Sequence, residues 1–133
     1  MRSTFRTQDQ IYELLGNDLE VLALLGNPST DEEKNTKLKR EITSLDVFET
    51  SDLDFLSFYF VDAVPTRNFK VNKGILIIDY FAALRYNAGE LSEKVKSVLA
   101  RKLDLQIMSE GQIPSGIIGV YQYRQRFMPL VWG

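Results

Sequence analysis

Ile11, Leu15, Leu19 and Leu22 recur at intervals of four, four and three residues, the spacing of one helical stripe. Leu14, Val21 and Leu25 widen it. Thr7, with Gln10 three residues on, has the spacing of a capping box. Asp9 and Glu13 put negative charge in the first turns, where the helix dipole favours it. Gly26-Asn27-Pro28 supplies a stop. The pattern predicts one helix over 8–25, weakened at Gly16 by about 1 kcal/mol relative to alanine. Residues 31–37 then carry no apolar side chain. Leu38, Ile42 and Leu45 return at helical spacing, which allows a short helix over 37–46, and Thr30 with Glu33 could cap an earlier start. The rest of 29–52 reads as a flexible or partly helical loop region.

The period then changes from helical to alternating. Residues 55–64 are rich in aromatic and β-branched side chains and predict a strand. Leu56, Phe58, Phe60 and Val64 share one face; Phe55, Tyr59 and Val61 share the other. Residues 74–84 predict a second strand. Ile75, Ile77, Asp79, Phe81 and Ala83 lie on one face, with Leu76, Ile78, Tyr80, Ala82 and Leu84 on the other. Both faces are largely apolar, unlike an antiparallel strand with one side in water. Between the strands, residues 65–73 form a long hairpin loop with Arg67, Lys70 and Lys73 around Phe69. Pro65 cannot donate to a ladder and ends the first strand. Leu91, Val95, Val98, Leu99 and Leu103 predict a second helix over 89–104, with Asn87 and Glu90 at cap spacing. Residues 106–116 read as a turn-rich connection and 117–128 as a closing strand. Pro129 ends that strand before the apolar tail Leu130-Val131-Trp132.

The expected fold is α+β: a small, mostly antiparallel β-sheet with two main helices packed on one side and a long hairpin loop. At 133 residues the chain is expected to be a single domain, 1–133, large enough for its own core. No internal repeat breaks it up.

Composition narrows the chemistry. There is no cysteine and no histidine, which removes disulfides, thiol nucleophiles, Cys/His zinc sites and the Ser-His-Asp arrangement. The lack of cysteine fits a reducing compartment. A carboxylate, lysine or tyrosine could still transfer protons. Phosphate-cradling glycine motifs are absent, as is Ser-x-x-Lys. No apolar leader opens the sequence, and the apolar run 75–84, broken by Asp79, is too short to cross a bilayer as a helix, so no membrane contact is expected.

The formal net charge is −2, unevenly spread. Residues 1–66 hold 6 basic and 13 acidic side chains; residues 67–133 hold 10 basic and 5 acidic. The halves could interleave in space and cancel. Alternatively, separate acidic and basic patches suit head-to-tail contacts between copies, and such contacts close into rings.

Three groups of residues are candidates for chemistry. Asp46, Glu49, Asp52 and Asp54 could offer oxygens to a hard cation, but they match no calcium-loop spacing and lack its glycine; we read a solvated acidic loop. Asp79 on an apolar face is costly unless paired: it could pair with Arg85, Arg124 or Arg126, sit at a sheet edge, or serve as a base with a raised pKa. Arg67, Lys70, Lys73, Arg124 and Arg126 could neutralise phosphates. We favour subunit contacts for them, together with Phe69 and Trp132, because apolar strand surface exceeds what one small domain can cover.

The order helix, loop, strand, strand, helix, strand resembles the tail terminator and tail-to-head joining proteins of long-tailed, siphovirus-like bacteriophages. The carriers are the opening helix 8–25, the strand pair 55–64 and 74–84 with its long loop, the helix 91–103 and the strand 117–128. The resemblance rests on layout, since the family has no short motif. The charged stretch 29–52 is longer than its pattern. The resemblance implies a structural virion protein and not an enzyme, without cofactor, metal or catalytic residues. It would be a homo-oligomeric ring, a hexamer in the usual case, assembled in the host cytoplasm and resident in the virion. The ring would terminate the tail tube and join it to the head connector or stopper protein. DNA would pass through its channel without sequence-specific binding, with acidic residues lining the wall. The alternatives are a head-side adaptor or stopper of different ring size, and a small cytoplasmic ligand-binding domain or enzyme using Asp79 and the tyrosines.

Overall fold

The computed structural model describes residues 4–40, 53–62, 72–127 and 130–132. It is an α+β fold with a mixed, mostly antiparallel sheet.

The opening helical stretch is two helices rather than one. α1 spans Thr4–Gly16 and α2 spans Leu19–Leu24. The break is chemical: Asp18 adopts extended backbone, and its carboxylate accepts from the Glu20 and Val21 amides, both at 3.0 Å. That is an N-cap, so a new helix starts there. The expected single stripe is broken with it. Ile11, Leu15, Val21 and Leu25 are buried, while Leu19 points into solvent, 81% exposed. α1 also starts before Thr7, so the Thr7–Gln10 cap is not used. Gly26 and Asn27 both have positive φ and turn the chain away, and the Asn27 amide reaches back to the Leu22 carbonyl at 2.7 Å.

The Thr30 and Glu33 spacing does mark a helix start. α3 spans Asp31–Lys37, with the Thr30 hydroxyl accepting from the Glu33 amide at 3.1 Å. Of the short helix expected over 37–46, Leu38–Arg40 are a strand instead, and 41–46 lie outside the described residues. β1, Leu38–Arg40, runs parallel to β2, Phe55–Asp62, pairing Leu38 with Leu56. Leu38 is buried in the core, which selects the strand over its weak helical spacing. Arg40 pairs with Asp9 at 2.6 Å and lies 4.7 Å over the Tyr12 ring, tying β1 to α1.

β3 covers Asn72–Ala82 and α4 covers Arg85–Leu103. Both start earlier than their patterns suggest. Ala83 and Leu84 form the link, held where the Ala83 amide donates to Asp54 Oδ1 at 3.0 Å. Asn87 lies inside α4 and donates to Asp54 Oδ2 instead of capping the helix. Asp104, in left-handed conformation, closes α4. The expected stripe holds: Leu91, Val95, Val98 and Leu99 are buried.

The stretch expected to be a connection contains β4, Ile107–Ile113. The closing strand is shorter than expected: β5 is Tyr121–Phe127. Gly116 and Gly119, both at positive φ, turn 114–120 into a hairpin tip instead. The apolar tail is β6, Leu130–Trp132.

The sheet order is β1-β2-β3-β5-β4, with β6 beside the start of β3. Every pairing except β1 with β2 is antiparallel. The core lies between one sheet face and helices α1, α2 and α4. Leu56, Phe58, Leu76, Ile78, Tyr80 and Phe127 project into it from the strands.

Candidate interaction surface

Period-two alternation sends Phe55, Ser57 and Tyr59 of β2, with Ile77, Asp79 and Phe81 of β3, to the opposite face. All six are buried, yet none belongs to the helix-packed cluster. Phe55 and Phe81 stack with centroids 4.9 Å apart, and the Lys39 ammonium lies 5.0 Å over the Phe55 ring.

Asp79 stands in the middle, only 1% exposed. Register places it directly across from Arg124 on β5. Arg124 Nε donates to Oδ1 at 2.7 Å and Nη2 to Oδ2 at 3.1 Å, a two-pronged pairing that fits the guanidinium fork. The Tyr59 hydroxyl donates to Oδ2 at 3.1 Å. Burial first, and the Asp79 charge second, push the Tyr59 hydroxyl up to about 12. The bond to Asp79 raises Arg124 above its ordinary value against the opposing effect of burial. Both oxygens of Asp79 are therefore engaged. Of the three arginines the sequence offered, Arg124 takes the pair.

A second polar network crosses the helix-packed face. The Tyr80 hydroxyl donates to Gln125 Oε1 at 2.6 Å, and Gln125 Nε2 donates to the Ser92 carbonyl of α4 at 3.1 Å. The Glu110 carboxylate accepts from Tyr123 at 2.8 Å and from Lys96 at 3.1 Å, and Lys96 also reaches Glu93. Burial pushes the Glu110 carboxyl up, but donation by Tyr123, Lys96 and Gln125 outweighs it and holds the group below its ordinary value. Burial and the Glu110 contact push Tyr123 up to about 12.

Beside this network runs an open groove of about 630 Å³ between the start of α4 and β5. Tyr86, Tyr121 and Tyr123 line it with Arg85, Glu90 and Glu93. The groove lies at one end of the sheet, since Ala82 pairs with Tyr121 and α4 begins three residues after Ala82. The hairpin tip 114–120 is at the same end. It carries Ile117 and a fully exposed Ile118; Leu84 is 61% and Tyr86 73% exposed beside it in topology. The opposite end is where Asp62 pairs with Gly74 and Asn72 with Trp132.

The described residues among those expected to make subunit contacts form no single surface. Arg124 is committed to Asp79. Arg126, half-buried, sits across from Ile77 and Ser109 on the same face. Lys73 and Trp132 are placed by backbone alone, on the β3–β6 ladder. Arg67, Phe69 and Lys70 lie outside the described residues, as do Asp46, Glu49 and Asp52 of the acidic cluster. Asp54 of that cluster clamps the β3–α4 link. Among the described residues no three His, Cys, Asp or Glu side chains converge as a metal site would need, and no helix is long and apolar enough to cross a membrane. The sequence reading missed the tyrosine groove and the exposed tip. The signals were there: tyrosines alternating at 121 and 123, and Ile117-Ile118 set between Gly116 and Gly119.

Comparison with protein-family models and with curated proteins gave no match.

Proposed function

We propose that this chain is a structural subunit of a phage head–tail junction: a ring, hexameric by the resemblance, that terminates the tail tube and joins it to the head connector. DNA passes through its channel. The observation that carries the reading is the exposed apolar set Leu84, Tyr86, Ile117 and Ile118, gathered at one end of the sheet. Apolar side chains grouped in this way are characteristic of surfaces that meet another protein. The layout resemblance and the acidic-to-basic shift along the chain support the same reading. Solution mass by light scattering over a concentration series, with negative-stain images and a co-sedimentation assay on tail tubes, tests it. Closed six-membered rings that bind tubes are expected. Rings of another size that bind the head connector would identify a head-side adaptor. A strict monomer that also fails to bind tubes would overturn the reading.

A further inference from the structure

Among the described residues β4 is the last strand of the sheet, with β5 on one side and no strand on the other. A strand edge presents unpaired amides and carbonyls, and proteins guard such edges with short strands, prolines, lysines, bulges or a covering element. The opposite edge is guarded in two of these ways: β1 is three residues long, and α1 and α3 pack against it. β4 is seven residues long and holds neither proline nor lysine. Its bulge lies at its start, between Ile107 and Ser109, and leaves 109–113 in regular register with β5. Ser109, Glu110 and Gln112 are exposed. Only 24% of the Glu110 side chain is accessible, so the open part of that residue is its backbone.

The side chains select what can pair there. Glu110 is the one charged residue of β4, and Lys96 and Tyr123 hold its carboxylate from within the chain. The edge can therefore meet a copy of itself without bare like charges. An antiparallel pair about a two-fold axis at Gly111 uses all of 109–113: Glu110 stands across from the second copy's Gln112, and Ser109 across from its Ile113. Directly opposite side chains share a face. The register with β5 agrees, since Glu110 and Gln112 lie on the face of Gln125 and Tyr123, while Ser109, Gly111 and Ile113 lie on that of Arg126, Arg124 and Gln122. Each Gln112 amide can then donate to a Glu110 carboxylate, twice over by symmetry, and the axis itself passes a residue without side chain. An axis at Glu110 would oppose two carboxylates. An axis at Gln112 would set Glu110 against Pro114, which cannot donate to a ladder.

We infer that β4 pairs with β4 of a second copy of this chain, antiparallel about Gly111, joining the two sheets into one with both helix layers on the same side. The contact is two-fold and closes at two copies. It uses the edge of the sheet, not the apolar end that carries the ring reading, and does not depend on that reading.

The absence of cysteine allows a direct test on the full chain. A Cβ at Gly111 meets nothing within 4 Å, so Gly111→Cys fits the fold. Opposite Cα atoms of an antiparallel pair stand about 4.5–5.5 Å apart, within disulfide range. Under mild oxidation Gly111→Cys should give a covalent dimer and nothing larger. Ser109→Cys, on the same exposed edge, would stand roughly 14 Å from its counterpart and should link about tenfold more slowly or not at all. Adding Ile113→Cys to Ser109→Cys should restore the dimer. Gln112→Glu sets carboxylates across from each other and should weaken self-association in sedimentation about tenfold, whereas Gln112→Lys should leave it intact. Gln112 is exposed, and a thermal melt checks the fold of each variant. The inference is overturned if Gly111→Cys links no faster than Ser109→Cys, if Ser109→Cys with Ile113→Cys stays unlinked, or if the two Gln112 variants associate alike. Rings of the unaltered protein without the Gly111 link would dismiss the edge pairing and keep the ring. Linked dimers that never form rings or bind tubes would keep the pairing and dismiss the ring.

Discussion

The same central strands build both faces of the sheet, and the two faces are held by different means. On the helix-packed face, Phe58, Ile78 and Phe127 are fully buried against α1, α2 and α4. Burial of that kind is non-directional and tolerates small shifts. The other face joins Phe55, Ile77 and Phe81 around one ion pair, Asp79 with Arg124. That pair demands register: a slip of one residue between β3 and β5 would turn Arg124 away from Asp79. One face supplies most of the cohesion, and the other specifies which residues stand opposite one another.

The contrast can be broken from the helix side first. Phe58→Ala removes a fully buried ring and should cost about 3–5 kcal/mol in urea unfolding. On the other face, Arg124→Met leaves a buried carboxylate without its cation. We expect a loss of about 2–4 kcal/mol, under the fully buried range because the Arg124 side chain keeps 21% exposure. The double variant Arg124→Met with Asp79→Leu should recover most of that loss, because a matched apolar pair leaves no charge stranded. If the double variant stays as unstable as Arg124→Met, the pair is not the point of control.

The network under the helices sharpens the comparison through pH. Glu110 is held below its ordinary value in the folded chain, so its contribution is complete above the unfolded value of 4.5 and is lost as pH falls through the folded one. Glu110→Gln should cost about 1 kcal/mol at neutral pH, and the gap to the parent should narrow below about pH 4.5. A gap that is constant with pH would show that the charge of Glu110 is not what matters. The smallest effect should come from Lys39→Ala, which removes the cation over Phe55 and is expected to cost about 0.5–1 kcal/mol by thermal melt.

Much of the fold is legible where one period runs long. β2 and β3 fall within about two residues of their patterns, and the stripe of α4 is buried as its spacing requires. The misses have two causes: tertiary context outweighing weak local preference, and local turn or cap chemistry that the hydrophobic period hides. Ser109-Glu110-Gly111-Gln112 has little strand propensity and forms β4 because β5 offers an edge to pair with. Ile117, Ile118 and Val120 look like strand residues, but the positive φ at Gly116 and Gly119 bends them into a tip. Asp18 reads as an interior helix residue until its carboxylate takes the role of a cap. The need of Asp79 for a cation was legible from its apolar neighbours. The choice of Arg124 was not, because only strand register selects among three arginines. The alternating tyrosines at 121 and 123 mark one wall of the groove, but its other wall comes from α4, more than 25 positions away, and no local pattern joins the two.

The β4–β5 tip settles its own shape. Ser115 Oγ accepts from the Ile117 amide at 3.1 Å and donates to the Val120 carbonyl at 2.7 Å, and the Val120 amide returns to the Ile117 carbonyl. Two glycines take the conformations other residues resist. The backbone is thus determined by Ser115, Gly116 and Gly119, while the side chain of Ile118 bears no part of it. That separation leaves position 118 free to change: a different side chain there alters the surface of the tip and asks no compensating change of the strands beneath.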